Sequence, residues 1–112
     1  MSGSKSRRKG HNFERWVANQ LFDAGYDARR NLEEVRSGNC GDIVVDAPLT
    51  IQCKCYAKQV PWRAAVREAE AAAPSHHYAL AITRVNNDEA YVHMRWSDFK
   101  ELLTMLRKEG VL

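Results

Sequence analysis

The apolar positions of this chain fall into short patterned runs separated by turn residues. From Gly10 to Ala24, Phe13, Val17, Ala18, Leu21, Phe22 and Ala24 recur at helical spacing, and Gly25 stops the run. Tyr26 to Arg30 reads as a short strand, and a polar loop follows through Arg36-Ser37-Gly38-Asn39. Asp42 to Asp46 and Thr50 to Tyr56 alternate as strands about an Asp46-Ala47-Pro48 turn, which predicts a hairpin. Pro61 opens an alanine-rich helix to about Ala73, with Trp62, Val66, Ala69 and Ala73 along one side and Pro74 ending it. Tyr78 to Thr83 is an apolar strand expected at the centre of a sheet. Asn86-Asn87-Asp88 is a turn, Ala90 to Arg95 a further strand, and Ser97 is the expected cap of a last helix to about Lys108. The order αβββαββα, without repeat or linker, predicts one α+β or mixed α/β domain.

Several polar residues break these patterns. At about 100° per residue, Glu14 falls near the middle of the first helix's apolar stripe. Either its carboxylate escapes at the helix end, or it has a partner inside; an acid in the first turn is also favoured by the helix dipole. In the hairpin, an even register sets Asp42, Gln52 and Lys54 on one face, with cross-strand neighbours about 5 Å apart. The odd register would put Asp42 among the cysteines, so the even one is expected. A buried carboxylate and ammonium are costly even when paired. A structural ion pair is one reading. The other is chemistry: acid and amide oxygens suit a hard divalent cation, and a lysine on the same face reaches a water or a phosphate oxygen.

Composition narrows the class. The chain has 112 residues and 45% hydrophobic content, which fits one globular domain. No apolar run approaches the roughly 20 residues that cross a bilayer, and the basic N-terminus lacks a following apolar segment. A cytoplasmic protein without a membrane partner is expected, in the host cytoplasm if phage-encoded. The net charge of +3 is less informative than its distribution. Lys5, Arg7, Arg8 and Lys9 lie in a segment, residues 1–9, expected to be a flexible basic tail before a single domain at 10–112. With Arg29, Arg30, Arg36 and Lys58 they are the candidate phosphate contacts. The three cysteines lack paired zinc spacing, and strand alternation sets Cys53 and Cys55 opposite Gln52 and Lys54, as buried small hydrophobes. His76 and His77 are given no chemistry, and His93 is read as structural.

Asp42 followed by Gln52-Cys53-Lys54 resembles the signature of the PD-(D/E)xK nucleases, an acid followed by acid-x-lysine on adjacent strands. The resemblance is closer to the archaeal-type Holliday junction resolvases, including phage members. Lys9-Gly10-x-x-Phe13-Glu14-Arg15 looks like their opening helix, Arg36-Ser37-Gly38 like their serine-glycine loop, and the helix from Pro61, the strand from Tyr78 and Trp96-Ser97-Asp98-Phe99 follow in order. It spans Lys9 to Leu103. Two positions depart from the pattern. Gly41 replaces a usual proline, a minor change because that residue is expected only to set the strand entry. Gln52 replaces a usual acid, which removes one negative charge and leaves Lys54 with less compensation.

The resemblance implies a restriction-endonuclease-like core, a central mixed sheet flanked by helices. It implies an endodeoxyribonuclease of DNA recombination and repair that resolves four-way junctions by paired, Mg²⁺-dependent phosphodiester hydrolysis, with Mn²⁺ substituting and no small-molecule cofactor. Asp42, Gln52 and Glu14 would hold the metal, with the Cys53 carbonyl in support. Lys54 would orient the nucleophile, and Ser37 would help position the phosphate. Two cuts in opposed strands call for a homodimer. Junctions would be recognised by shape and phosphate position, because no element reads as a base-reading helix. The alternatives are another PD-(D/E)xK nuclease acting on duplex or branched DNA, and a non-catalytic DNA-binding relative; a zinc-bound adaptor is a third.

Overall fold

The computed structural model describes residues 2–32 and 41–112, except for the side chains of residues 2–4 and 6. Its elements are α1 (Ser2–Asp23), β1 (Ala28–Arg30), β2 (Ile43–Val45), β3 (Leu49–Tyr56), α2 (Trp62–Ala72), β4 (Tyr78–Val85), β5 (Ala90–His93) and α3 (Trp96–Lys108). The order is the αβββαββα expected from the hydrophobic pattern.

The first helix is longer than its apolar stripe. It starts at Ser2 rather than Gly10, so the segment expected to be a tail is helical. Lysine and arginine are good helix formers, and a helix already nucleated by the packing of Phe13 and Val17 extends at little further cost. At the other end of the chain, Ser97 lies inside α3. The N-cap is Arg95, which makes no side-chain capping bond. Arg95 instead binds both carboxylate oxygens of Glu70, tying the start of α3 to α2.

The strand pairing corrects the expected hairpin. β2 pairs antiparallel with β1, matching Arg30 to Ile43 and Ala28 to Val45. β3 takes its ladder from β4, parallel and joined through α2, with Gln52 opposite Ala81 and Lys54 opposite Thr83. β5 adds antiparallel to β4, so β4 is central in the mixed sheet β3-β4-β5. The turn at Asp46 closes the β1-β2 pair rather than a β2-β3 pair: Asp46 exchanges bonds with Asp27 through its own N–H and through Oδ1. Among the described residues, the strand pairing that links the two sheets is a bridge between Gly41 and Ile51.

That sheet has two differently furnished faces. One carries Ile51, Cys53 and Leu80, which pack with Phe13 and Val17 of α1 and with Ile43 as the main core. The other carries Ala81, packed against Ala65 and Val66 of α2. Ala65, Ala69 and Ala81 are fully buried, so the small side chains of α2 serve close packing within the chain. Buried Thr50 bonds His77, and buried Thr83 bonds His93, whose ring stacks on Trp62. Both histidines are thus structural. Cys53 and Cys55 share the α1 face with Leu80 and Ile82, opposite Gln52 and Lys54, as alternation required.

The bridging residue Gly41 has φ +66°, and a Cβ there would lie 2.6 Å from the Ile51 carbonyl oxygen. The position therefore sets more than a strand entry. Gly41→Ala is expected to cost at least about 1–3 kcal/mol, the range for a residue forced into an unfavourable backbone region, read by urea denaturation. Gly41→Pro should be worse, because proline fixes φ near −65°.

Candidate active site

Gly41 brings Asp42 to the open edge of β3. The Asp42 N–H donates to the Ile51 carbonyl at 2.8 Å, and its Oδ2 accepts the Cys53 N–H at 2.8 Å. Asn31, 2% exposed, holds this segment from the other side. Its N–H donates to the Asp42 carbonyl and its Nδ2 to the Gly41 carbonyl, both at 2.9 Å. Asp42 therefore meets the main chain of β3 between Gln52 and Lys54, and not their side chains across a ladder.

Glu14 arrives from α1. It is 8% exposed, and Arg30 Nε of β1 donates to its Oε1 at 3.3 Å. Of the two readings of an acid in an apolar stripe, the structure selects the inside partner. Arg30, expected among the phosphate contacts, is turned inward toward Glu14.

Gln52 and Lys54 share the α2 face, and both meet a residue that was not anticipated. Gln52 Nε2 donates to Glu68 Oε2 at 2.9 Å, and Lys54 Nζ lies 3.3 Å from the same oxygen. Lys54 thus has a counter-charge despite the amide at position 52.

Cys53 reports on the grouping electrically. Burial pushes its thiol well above the usual range, the negative charges of Asp42 and Glu14 push it further, and Lys54 pulls it back. Three charges from three elements therefore act on one residue. The Cys53 side chain is packed into the core on the α1 face, so the donors on offer at the strand edge and the α2 face are carboxylate, amide and carbonyl oxygens. That chemistry suits Mg²⁺ or Mn²⁺ rather than a thiophilic metal. Among the described residues no three His, Cys, Asp or Glu side chains converge on one point, so a cation would depend on Gln52 and main-chain oxygens as well.

The basic residues divide. Lys5, Arg8 and Lys9 line a cleft of about 610 Å³ between α1 and the β4–β5 turn, together with Asn12 and Arg84. Arg84 was not anticipated; its guanidinium carbon lies 4.9 Å from the Phe13 ring centre and 5.0 Å from that of Trp16. Arg7, Arg29 and Lys58 are exposed outside that cleft. Ser37, Arg36 and Cys40 lie outside the described residues.

Neither a protein-family model nor a curated protein matches the sequence. A solved structure does: Hjc, a Holliday junction resolvase from the archaeal hyperthermophile Archaeoglobus fulgidus. The likeness covers 77% of this chain and 72% of that one, with TM-score 0.59 and 23% identity. The two chains share a fold. In this Hjc-like fold, the residues missed from sequence are Asn31, Glu68 and Arg84. Alternation along β4 could have placed Arg84 on the Cys55 face. Glu68 required knowing that α2 crosses over the Gln52 face, and Asn31 gave no local signal.

Asn31→Ala would leave the Gly41 carbonyl without its buried donor, at a cost of about 1–3 kcal/mol. We expect a lower denaturation midpoint, together with loss of protection of the Cys53 amide in hydrogen exchange as Asp42 shifts.

Proposed function

We propose that the chain is a metal-dependent endonuclease of the PD-(D/E)xK superfamily that resolves four-way DNA junctions as a homodimer, using Mg²⁺ or Mn²⁺. The observation that carries this reading is the Asp42 carboxylate held on the Cys53 N–H, between Gln52 and Lys54 of β3, on an Hjc-like fold. A purely structural ion pair needs no third charge and no carboxylate fixed at a strand edge by main-chain bonds.

In this reading Asp42, Glu14, the Gln52 amide oxygen and the Cys53 carbonyl hold the cation. Once bound, the cation supplies positive charge to the phosphate and acidifies water. The reaction is hydrolysis: a water oxygen bonds to phosphorus, one bridging P–O bond breaks, and the departing oxygen takes a proton. Lys54 donates hydrogen bonds to the attacking oxygen or to a non-bridging phosphate oxygen, offsetting charge that builds in the transition state. Asn31 and Gly41 keep Asp42 in place through the main chain, so the carboxylate needs little reorganisation when substrate arrives. Ser37 remains a proposed phosphate contact.

The Lys5, Arg8, Lys9 and Arg84 cleft supports backbone contact with DNA, and exposed Arg7, Arg29 and Lys58 extend the positive surface. Recognition of this kind responds to the path of the phosphates rather than to bases. For the second copy, the supporting surface is an apolar hollow of about 490 Å³ formed by Trp62, Val92, His93, Met94, Trp96 and Phe99. Trp96 is 67% and Val92 62% exposed, and α3 buries no residue of its own. Water-facing aromatic surface of this extent fits an interface.

The test is cleavage of a labelled four-way junction beside a linear duplex of the same sequence, with Mg²⁺, Mn²⁺ or EDTA. Paired, metal-dependent nicks confined to the junction are expected. Asp42→Asn should lower the rate by on the order of 10²-fold or more, as loss of a charge-stabilising group does. Equal cutting of the duplex would discard junction specificity; tight junction binding without cutting would discard the enzyme.

A further inference from the structure

Position 52 poses a charge problem. β3 presents an amide and a lysine side by side on the α2 face, where an acid and a lysine would be neutral together. Gln52 alone offers a cation one uncharged oxygen and gives Lys54 no counter-charge.

The answer comes from the next element. Glu68 lies on the turn of α2 that passes over this face, one residue before fully buried Ala69, which seats the helix against the sheet. Its Oε2 accepts from Gln52 Nε2 at 2.9 Å and stands 3.3 Å from Lys54 Nζ. An ionised carboxylate only accepts, so the amide must turn its NH₂ group to Glu68. That leaves Gln52 Oε1 as the amide's acceptor for a cation. One carboxylate therefore fixes the orientation of Gln52 and neutralises Lys54 at the same time.

We infer that Glu68 supplies, from α2, the negative charge that residue 52 lacks, and that Gln52 and Glu68 together do the work of one strand acid. Glu68 is a positioning residue, acting on the site through Gln52 and Lys54. The side chain of Glu68 is 48% exposed, so it is not held there by burial; the two polar contacts hold it. Its exposure also leaves the carboxylate accessible to reorganise when a cation enters.

The inference rests on the metal-dependent reading above, and it is tested without cleavage. Mn²⁺ binding to the full chain is measured by calorimetry for the native protein, Asp42→Asn, Glu68→Gln and the exchanged pair Gln52→Glu with Glu68→Gln. Far-UV circular dichroism checks that each variant is folded. We expect Asp42→Asn to abolish binding and Glu68→Gln to weaken it by about tenfold, the lower end of what loss of a ligand-supporting group costs. The exchanged pair, which keeps the total charge and moves it onto the strand, should recover most of that loss. A merely structural Glu68 would not be rescued by a charge placed at residue 52. Asp42-dependent binding that is indifferent to Glu68→Gln would overturn this inference alone, and so would a weakened variant that the exchange fails to rescue. Native protein that shows no Asp42-dependent binding would overturn the metal-dependent reading and this inference with it.

Discussion

At Gly41 the main chain passes so close to Ile51 that any side chain would collide with a carbonyl oxygen, and the φ of +66° is one that L residues resist. That approach lets the Asp42 N–H reach β3, and the Asp42 carboxylate then takes the Cys53 N–H from the same strand. Two sheets are joined at a point rather than along a ladder. Among the described residues no neighbouring strand covers β3 at this place, and the carboxylate occupies its edge. Had Ile43–Val45 formed the anticipated hairpin with β3, ladder bonds would have consumed that edge. Stability and site geometry thus share one constraint.

From this edge the charges are arranged by layer. Glu14 comes from the helix on the cysteine face, Lys54 and Gln52 look toward the helix on the other, and Asp42 lies between them at the rim. Two of the charged groups are answered locally by an opposite charge, Arg30 for Glu14 and Glu68 for Lys54, and Asp42 takes the Cys53 N–H. Such pairing limits the desolvation cost of a cluster that is partly removed from water. It also means that any ligand reaching these groups would have to exchange existing partners, and not merely fill a gap.

Element order, the central β4, the opposed faces of β3 and an inside partner for Glu14 could be read from the chain. Period and alternation report which way a side chain faces, and these features depend on nothing else. Strand partners could not be read. A short acidic turn with proline suggests a hairpin, yet β2 is only Ile43–Val45 and takes its ladder from β1, while β4 pairs with the opposite edge of β3. The same limitation hid Glu68 and Asn31, whose roles exist only once α2 crosses the sheet and residue 31 meets residue 41. The departure at Gly41 looked trivial by residue type and proved geometrically demanding. The departure at Gln52 looked costly and proved to be accompanied by an acid elsewhere.

Arg84 carries a last consequence. Its guanidinium lies against the faces of Phe13 and Trp16, whose rings are themselves stacked within 13° of parallel. A long cationic side chain normally gives up considerable rotamer freedom when it grips an anion. Here the ring faces of Phe13 and Trp16 already restrict that freedom in the folded state. Arg84 is therefore the pre-ordered cation of the basic cleft. An anion entering there would meet a cation with little further freedom to lose.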